Sequence, residues 1–295
     1  MITFDEKTKA ILSEKSDQLK KIANQEQLFM KPGFQATSEC TKYCFSFGYN
    51  CLKTTGECDQ FLETMFYDFP GGWTHESADK DSMNEVYALV KKSQVTIVII
   101  DTPSLIESEG DYFSKFNIRP DNLEDYFKKS FTNLKEPRLV ILAPVRCEKY
   151  FSDPKLLQEM MVKIEEKYHK VLRYFASPVP REYINCAIIP ACTVGNFHFH
   201  SIIKNRDPIE FRYKKKSSKD RYSPKNCDHL MLRILYFMLR LYEDRDRYPF
   251  GLNMLKRIDE LKHVLQSFKN DITSHISKNS EIKILQGEYI KTAMD

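Results

Sequence analysis

The sequence predicts an α/β protein: a three-layer sandwich with a mostly parallel central sheet and an antiparallel edge hairpin, plus a C-terminal helical extension. Three observations carry this reading. QVTIVIID, RLVILAPV and YINCAIIPA (residues 94–101, 138–145 and 183–191) are continuous apolar runs, the pattern of strands buried on both faces of a parallel sheet. Segments of helical period separate them, as crossover connections between parallel strands require. Upstream, the aromatic-rich runs TKYCFSFGYNCL and QFLETMFYDF flank the turn-like KTTGECD, which reads as an antiparallel hairpin.

In chain order, residues 5–27 are charged, free of Gly and Pro, and carry Ile11, Leu12, Leu19 and Ile22, an amphipathic helix. The hairpin follows and ends at a break, Gly71 and Gly72. Residues 78–92 predict a helix, 94–101 the first buried strand, DNLEDYFKKSFTNL a helix and RLVILAPV the second strand. Asp153 and Pro154 form an N-cap and first-turn pair for one long helix reaching about Phe175. After the third strand, Ser223 and Pro224 lead into the strongly apolar helix CDHLMLRILYFMLRLY. Residues 1–250 therefore read as one α/β domain and 251–295 as a helical extension. In the extension Met254, Ile258, Leu261, Leu265, Phe268 and Ile272 form a heptad-like stripe that predicts packing either on the parent domain or against a second copy.

Composition narrows the function classes. Among 295 residues, 45 basic side chains face 41 acidic ones, a net charge of +4, too even for nucleic-acid binding by the whole surface. Any anion site must be local. Residues 204–225 hold nine Lys or Arg against three acids, which predicts a mobile hairpin or loop offering a polyanion site at Lys214, Lys215 and Lys216. The start has no apolar signal core, and the apolar run Val95–Ile100 is far short of a membrane span. The chain reads as soluble and cytoplasmic, with its eight cysteines chiefly buried thiols. Cys40, Cys44, Cys51 and Cys58 lack the C-x-x-C knuckles of structural zinc sites. His198 and His200 alternate with Phe and would share a strand face, but two ligands make no metal site. No nucleophile elbow occurs, so neither a catalytic residue nor a metal ligand is assigned.

One motif stands out. In ETMFYDFPGGWTHES a strand runs into Asp68-Phe69-Pro70-Gly71, a D-x-x-G. Two further strand ends follow, Ala143-Pro144-Val145-Arg146-Cys147-Glu148-Lys149 and Pro190-Ala191-Cys192-Thr193. The order of helix, hairpin, D-x-x-G and alternating helices and strands over residues 5–245 resembles the P-loop GTPases of the small-GTPase kind. SPKNCDHLMLRILYFML is similar to the last helix of bacterial GTPase-like proteins of the double-GTPase type, some of them linked to conflict or defence systems.

The resemblance implies a site for GTP or GDP with magnesium. Asp68 would hold a magnesium water, and the Gly71 N–H would approach the γ-phosphate. Arg146 and Glu148 stand where the family has the Lys and Asp of N/T-K-x-D, both departures. Ala191 stands in the S-A-K position, whose backbone meets the guanine carbonyl; Thr37 or Thr41 would take the place of the first-switch Thr. No G-x-x-x-x-G-K-[ST] occurs, because none of the nine glycines is followed by Lys. Gly72 stands where hydrolytic members carry Gln. The expectation is a GTPase-like regulatory or scaffolding protein, degenerate or incomplete for GTP binding, a hydrolase only if a P-loop is supplied from outside, with a protein partner or homo-oligomer. A polyanion-binding module using residues 204–225 and a structural oligomerisation protein are the alternatives.

Overall fold

The computed structural model describes residues 2–24, 29–30, 38–49, 59–74, 78–107, 120–203, 210–244, 262–276 and 281–291. The fold is mixed α/β, as the sequence predicts, with its strands in three sheets.

The first sheet is antiparallel and holds β1 (Ile2–Phe4), β3 (Thr41–Tyr49) and β4 (Asp59–Asp68), in the order β1-β3-β4. The hairpin is where the sequence predicts it, yet it forms a sheet of its own rather than the edge of the parallel one. Helix α1 (Glu6–Asn24) is started by Asp5, whose Oδ1 accepts the Thr8 N–H at 2.6 Å. The Thr8 hydroxyl accepts the Cys44 N–H at 2.9 Å, pinning the helix to β3.

The parallel sheet is made by β5 (Val95–Asp101), β6 (Arg138–Val145) and β7 (Ile184–Ile188), paired in sequence order. Its antiparallel edge is β10 (Lys283–Gln286), which pairs with β7. Alternate residues of β6 serve opposite faces. Leu139, Ile141 and Ala143 pack with α8 (Cys227–Glu243) and with Phe47 and Leu62 of the hairpin. Val140 and Leu142 pack with α2 (Lys80–Lys92), α4 (Pro120–Ser130) and α5 (Pro154–Lys167). Helices on both faces make the three layers. Truncating Leu139, Ile141 or Leu142, each at most 1% exposed, to Ala would cost about 2–5 kcal/mol.

Three details depart from the sequence reading. β5 is the outer strand of its sheet among the described residues, so it is not buried on both faces: Ile99 is 60% exposed. The predicted single helix from Asp153 to Phe175 is two, α5 and α6 (His169–Phe175), bent at the buried Tyr168. The bend keeps the hydrogen-bond ladder, through Tyr168 N to Ile164 O and Leu172 N to Tyr168 O, while turning Val171 and Phe175 onto the core. Helix α9 (Lys262–Ile276) carries part of the heptad-like stripe and packs on α8, where Ile272 is buried. Met254, Ile258 and Leu261 lie outside the described residues.

The third sheet, in the order β2-β9-β8, contains β2 (Phe29–Met30), β8 (Phe197–Ile203) and β9 (Glu210–Lys215). Phe197, Phe199, Phe211 and Tyr213 pack with Ala23 and Val194. Residues 210–215 of the basic run are thus a strand paired antiparallel with β8, and 216–225 join it to α8; residues 204–209 lie outside the described residues. Lys215 is buried, its Nζ donating to the Asp220 carbonyl at 3.2 Å and sitting 5.0 Å from the Phe197 ring centre.

Candidate functional site

In an open parallel sheet the crevice beyond the carboxyl ends of the strands is the natural ligand site. Here those ends are Asp101, the loop 146–149 and Ala191. β5 leads directly into α3 (Thr102–Glu107). Arg146 follows β6 in a left-handed conformation, φ 55°, which aims its side chain back across the sheet end. Its Nη2 forms an ion pair with Asp101 Oδ1, while Ser104 Oγ donates to Asp101 Oδ2. The guanidinium also lies 5.8 Å from the Tyr213 ring centre and 6.0 Å from that of Phe211.

Lys149 repeats the arrangement one turn on. Its Nζ pairs with Glu107 Oε1 at 2.5 Å, the same oxygen accepts the Tyr150 hydroxyl at 2.5 Å, and the Phe199 ring centre is 5.4 Å from Nζ. Two cations of the β6 loop are therefore held between acids of the β5–α3 segment and aromatic rings of β8 and β9. The third sheet covers this end of the parallel sheet.

Glu148 is 5% exposed, and its Oε1 accepts the backbone N–H groups of Val194 and Gly195, each at 3.2 Å. Burial pushes its carboxyl above the usual carboxylate range, partly offset by those N–H groups and by Arg146. Ala191 forms an isolated bridge with Val145, and its N–H donates to the Pro144 carbonyl at 2.9 Å. The structure thus brings Arg146, Glu148 and Ala191 together, and each spends its characteristic group on a partner within the chain.

Asp68 and Gly71 occupy the foot of the hairpin. Asp68 pairs in register with Thr41 at the end of β4, and Tyr43 feels its charge: that phenol is raised by burial first and by Asp68 second. Thr37 lies outside the described residues. Gly71 opens a 3₁₀ turn, Gly71–Thr74, in which Trp73 N donates to the Pro70 carbonyl at 3.0 Å. The Trp73 carbonyl accepts the Tyr126 hydroxyl at 3.1 Å, and Phe69 and Trp73 pack into the core under α2 and α4. A Cβ built at Gly71 or Gly72 meets nothing within 4 Å. The fold itself does not demand glycine at either position.

No protein-family model, curated protein or solved structure matches this chain. Assignment therefore depends on the site alone.

The Cys186 and Cys192 thiols are held in the protonated form. The Cys147 and Cys192 thiols lie 3.7 Å apart in the core behind the loop, and the contact with Cys147 followed by burial pushes the Cys192 thiol up, away from the nucleophilic thiolate. Cys186 is pushed up to about 12 by burial. Among the described residues no group of three His, Cys, Asp or Glu side chains is placed to hold a metal ion, and no helix is long and apolar enough to cross a membrane. The residue missed in the sequence is Asn196; it converges with Glu148, with His198, which the sequence offered only as a metal ligand, and with Lys225 of the basic run on one cavity. The basic run signalled its cations, but nothing in sequence signalled Asn196.

Proposed function

We propose that the chain is a cytoplasmic GTPase-like regulatory or scaffolding protein, degenerate or incomplete for GTP binding and hydrolysis, that works through a protein partner or a second copy. The observation that carries this reading is the commitment of Arg146 to Asp101 beneath Tyr213 and Phe211. The side chain standing in the base-recognition position serves as a clamp between two strand ends. The two backbone N–H groups on Glu148 support the same reading, because an acceptor already engaged is poorly disposed toward a purine ring.

These 295 residues hold no phosphate loop, which points the same way for this chain alone. The charge-assisted hydrogen bonds of such a loop are worth about 1.5–3 kcal/mol each, so losing four or five removes roughly 6–15 kcal/mol of binding. Guanine nucleotides should then bind no better than micromolar, without magnesium-dependent turnover. The test is titration of the purified chain with labelled GTP, GDP and ATP, together with mass spectrometry of any nucleotide that copurifies. Nanomolar GTP binding, or turnover abolished by Asp68→Ala, would overturn the reading.

A second reading, polyanion binding, is favoured by the exposure of Lys214 and Lys216 on and after β9. Lys215 faces inward and contributes nothing to such a surface. Steep loss of RNA or acidic-vesicle binding with salt, weakened by neutralising Lys214 and Lys216, would select it.

A further inference from the structure

Beside the β6 loop, a cavity of about 420 Å³ opens between the segment following β7 and the loop that joins β9 to α8. Its frame is built from backbone. Cys192 and Lys225 exchange both N–H···O bonds, at 3.0 and 2.9 Å, and Ser223 N donates to the Val194 carbonyl at 3.1 Å. Gly195, at φ 80°, is obligatory here: a Cβ would stand 1.6 Å from the Ser223 carbonyl oxygen.

The floor holds one buried acceptor. Asn196 is 5% exposed, and its Nδ2 donates to the Ala23 carbonyl at 2.9 Å and the Asp220 carbonyl at 3.3 Å. Those two carbonyls fix the amide orientation and leave Oδ1 buried without a partner. Glu148 lies on the same lining.

The rim is cationic. Lys216, Arg221 and Lys225 are exposed there, and none has a carboxylate partner among the described residues. Asp220, the other acid of the lining, accepts the Ser217 N–H through Oδ2 at 2.9 Å. The imidazole of His198, on the wall, is held low by burial first and by Lys216 next, with Lys225 adding to the effect. The three cations of the lining outnumber its two carboxylates, Glu148 and Asp220, so the rim keeps a net positive field.

We propose that this cavity binds a small sugar phosphate, free or as the sugar-phosphate part of a nucleotide. The phosphate meets Lys216, Arg221 and Lys225 at the rim, and a sugar hydroxyl donates to Asn196 Oδ1 at the floor. The volume suits it: small-molecule sites run from about 300 to 1,000 Å³, and one at the lower end holds a ring and a phosphate rather than an oligomer. A nucleic-acid backbone would touch the rim lysines without reaching the floor.

Isothermal titration of the full chain with ribose 5-phosphate, AMP, GMP, inorganic phosphate and ribose tests this. Ribose 5-phosphate or a nucleoside monophosphate should bind, with phosphate alone and ribose alone at least about tenfold weaker. Binding by ribose 5-phosphate identifies the free sugar phosphate, and binding by AMP or GMP alone identifies the nucleotide; both support the site. Lys216→Gln and Lys225→Gln should each weaken binding about tenfold at an unchanged melting temperature, since both side chains are exposed. No binding of any sugar phosphate at millimolar concentration overturns the proposal, as does binding indifferent to both substitutions. Lysine-dependent binding of single-stranded RNA without any of the small ligands would also overturn it, and would assign the rim to a polyanion surface.

Discussion

The guanidinium of Arg146 reaches from the end of β6 to the carboxylate of Asp101 at the end of β5, with the rings of Tyr213 and Phe211 over it. Removing either partner strands the other in a partly desolvated position. Exposed pairs are worth about 0–1 kcal/mol, whereas breaking buried ones costs about 3–5 kcal/mol. With side-chain exposures of 37% and 16%, this pair lies between. A double-mutant cycle of Arg146→Ala and Asp101→Asn, read by urea denaturation, should give a coupling of about 1–3 kcal/mol. Additive effects would make the pair a bystander.

Glu148 separates charge from hydrogen bonding. Glu148→Gln keeps an acceptor for the Val194 and Gly195 N–H groups and removes a buried charge, so stability should hold or rise. Glu148→Ala strands both donors and should cost about 1–3 kcal/mol.

The same residue gives a pH signature. Its folded carboxyl lies above its unfolded value, so between the two the folded state binds more protons and stability falls as pH rises. His198 works the other way, because its folded imidazole is depressed and stability is lost as pH falls through its unfolded range. The quantity to follow is the stability of wild type minus that of Glu148→Gln across the acid range, by chemical denaturation. It should decrease as pH rises above the ordinary carboxylate range and then level off. A flat difference would mean that Glu148 is as well solvated in the folded state as in the unfolded one.

Three glycines make opposite forecasts. Gly287, at φ 100°, would place a Cβ 2.1 Å from Asn185 Oδ1, and Gly195 is crowded by Ser223. Ala at either position should lower the melting temperature markedly, through strain and displacement of neighbouring backbone. Gly71→Ala has open space and should be neutral, or stabilising by up to about 1 kcal/mol, because the unfolded chain loses freedom. Thermal melts of the three variants check all of this, and a destabilised Gly71→Ala would show a backbone demand at the D-x-x-G turn.

Ile272 of α9 is 2% exposed against the α8 core. Ile272→Ala should cost about 2–5 kcal/mol and leave the sedimentation coefficient unchanged, as befits packing on its own domain. A shift in mass would place part of that face between copies.

The parallel strands were legible because a strand covered on two faces must be apolar along its length, as Leu139 to Ala143 are. The hairpin was legible from its aromatic runs. Less so was what neighbours what. QVTIVIID is as apolar as an inner strand, yet Ile99 faces outward, so an apolar run alone fixes neither the burial of each face nor the position within the sheet. KILQ is too short to show a period, so β10 escaped notice. At the site, the clustering of Arg146, Glu148 and Ala191 followed from strand order. The partners that occupy them did not, because Asp101, Tyr213 and Gly195 lie tens of residues away and are joined only by the tertiary fold.

β10 carries a consequence for how the protein is handled. Lys283–Gln286 covers the flank of β7, and Tyr289 N donates to Asn185 Oδ1, 104 residues away, while Arg233 of α8 donates to the Ile290 carbonyl. An uncovered strand edge is a template for intermolecular pairing. A fragment cut before Lys283 would bare the row of N–H and C=O groups around Cys186 and take the Ile290 carbonyl from the buried guanidinium of Arg233. Expression boundaries drawn at the end of α8, where the α/β layers look finished, should therefore yield a sticky product, and solubility should return with residues 283–291.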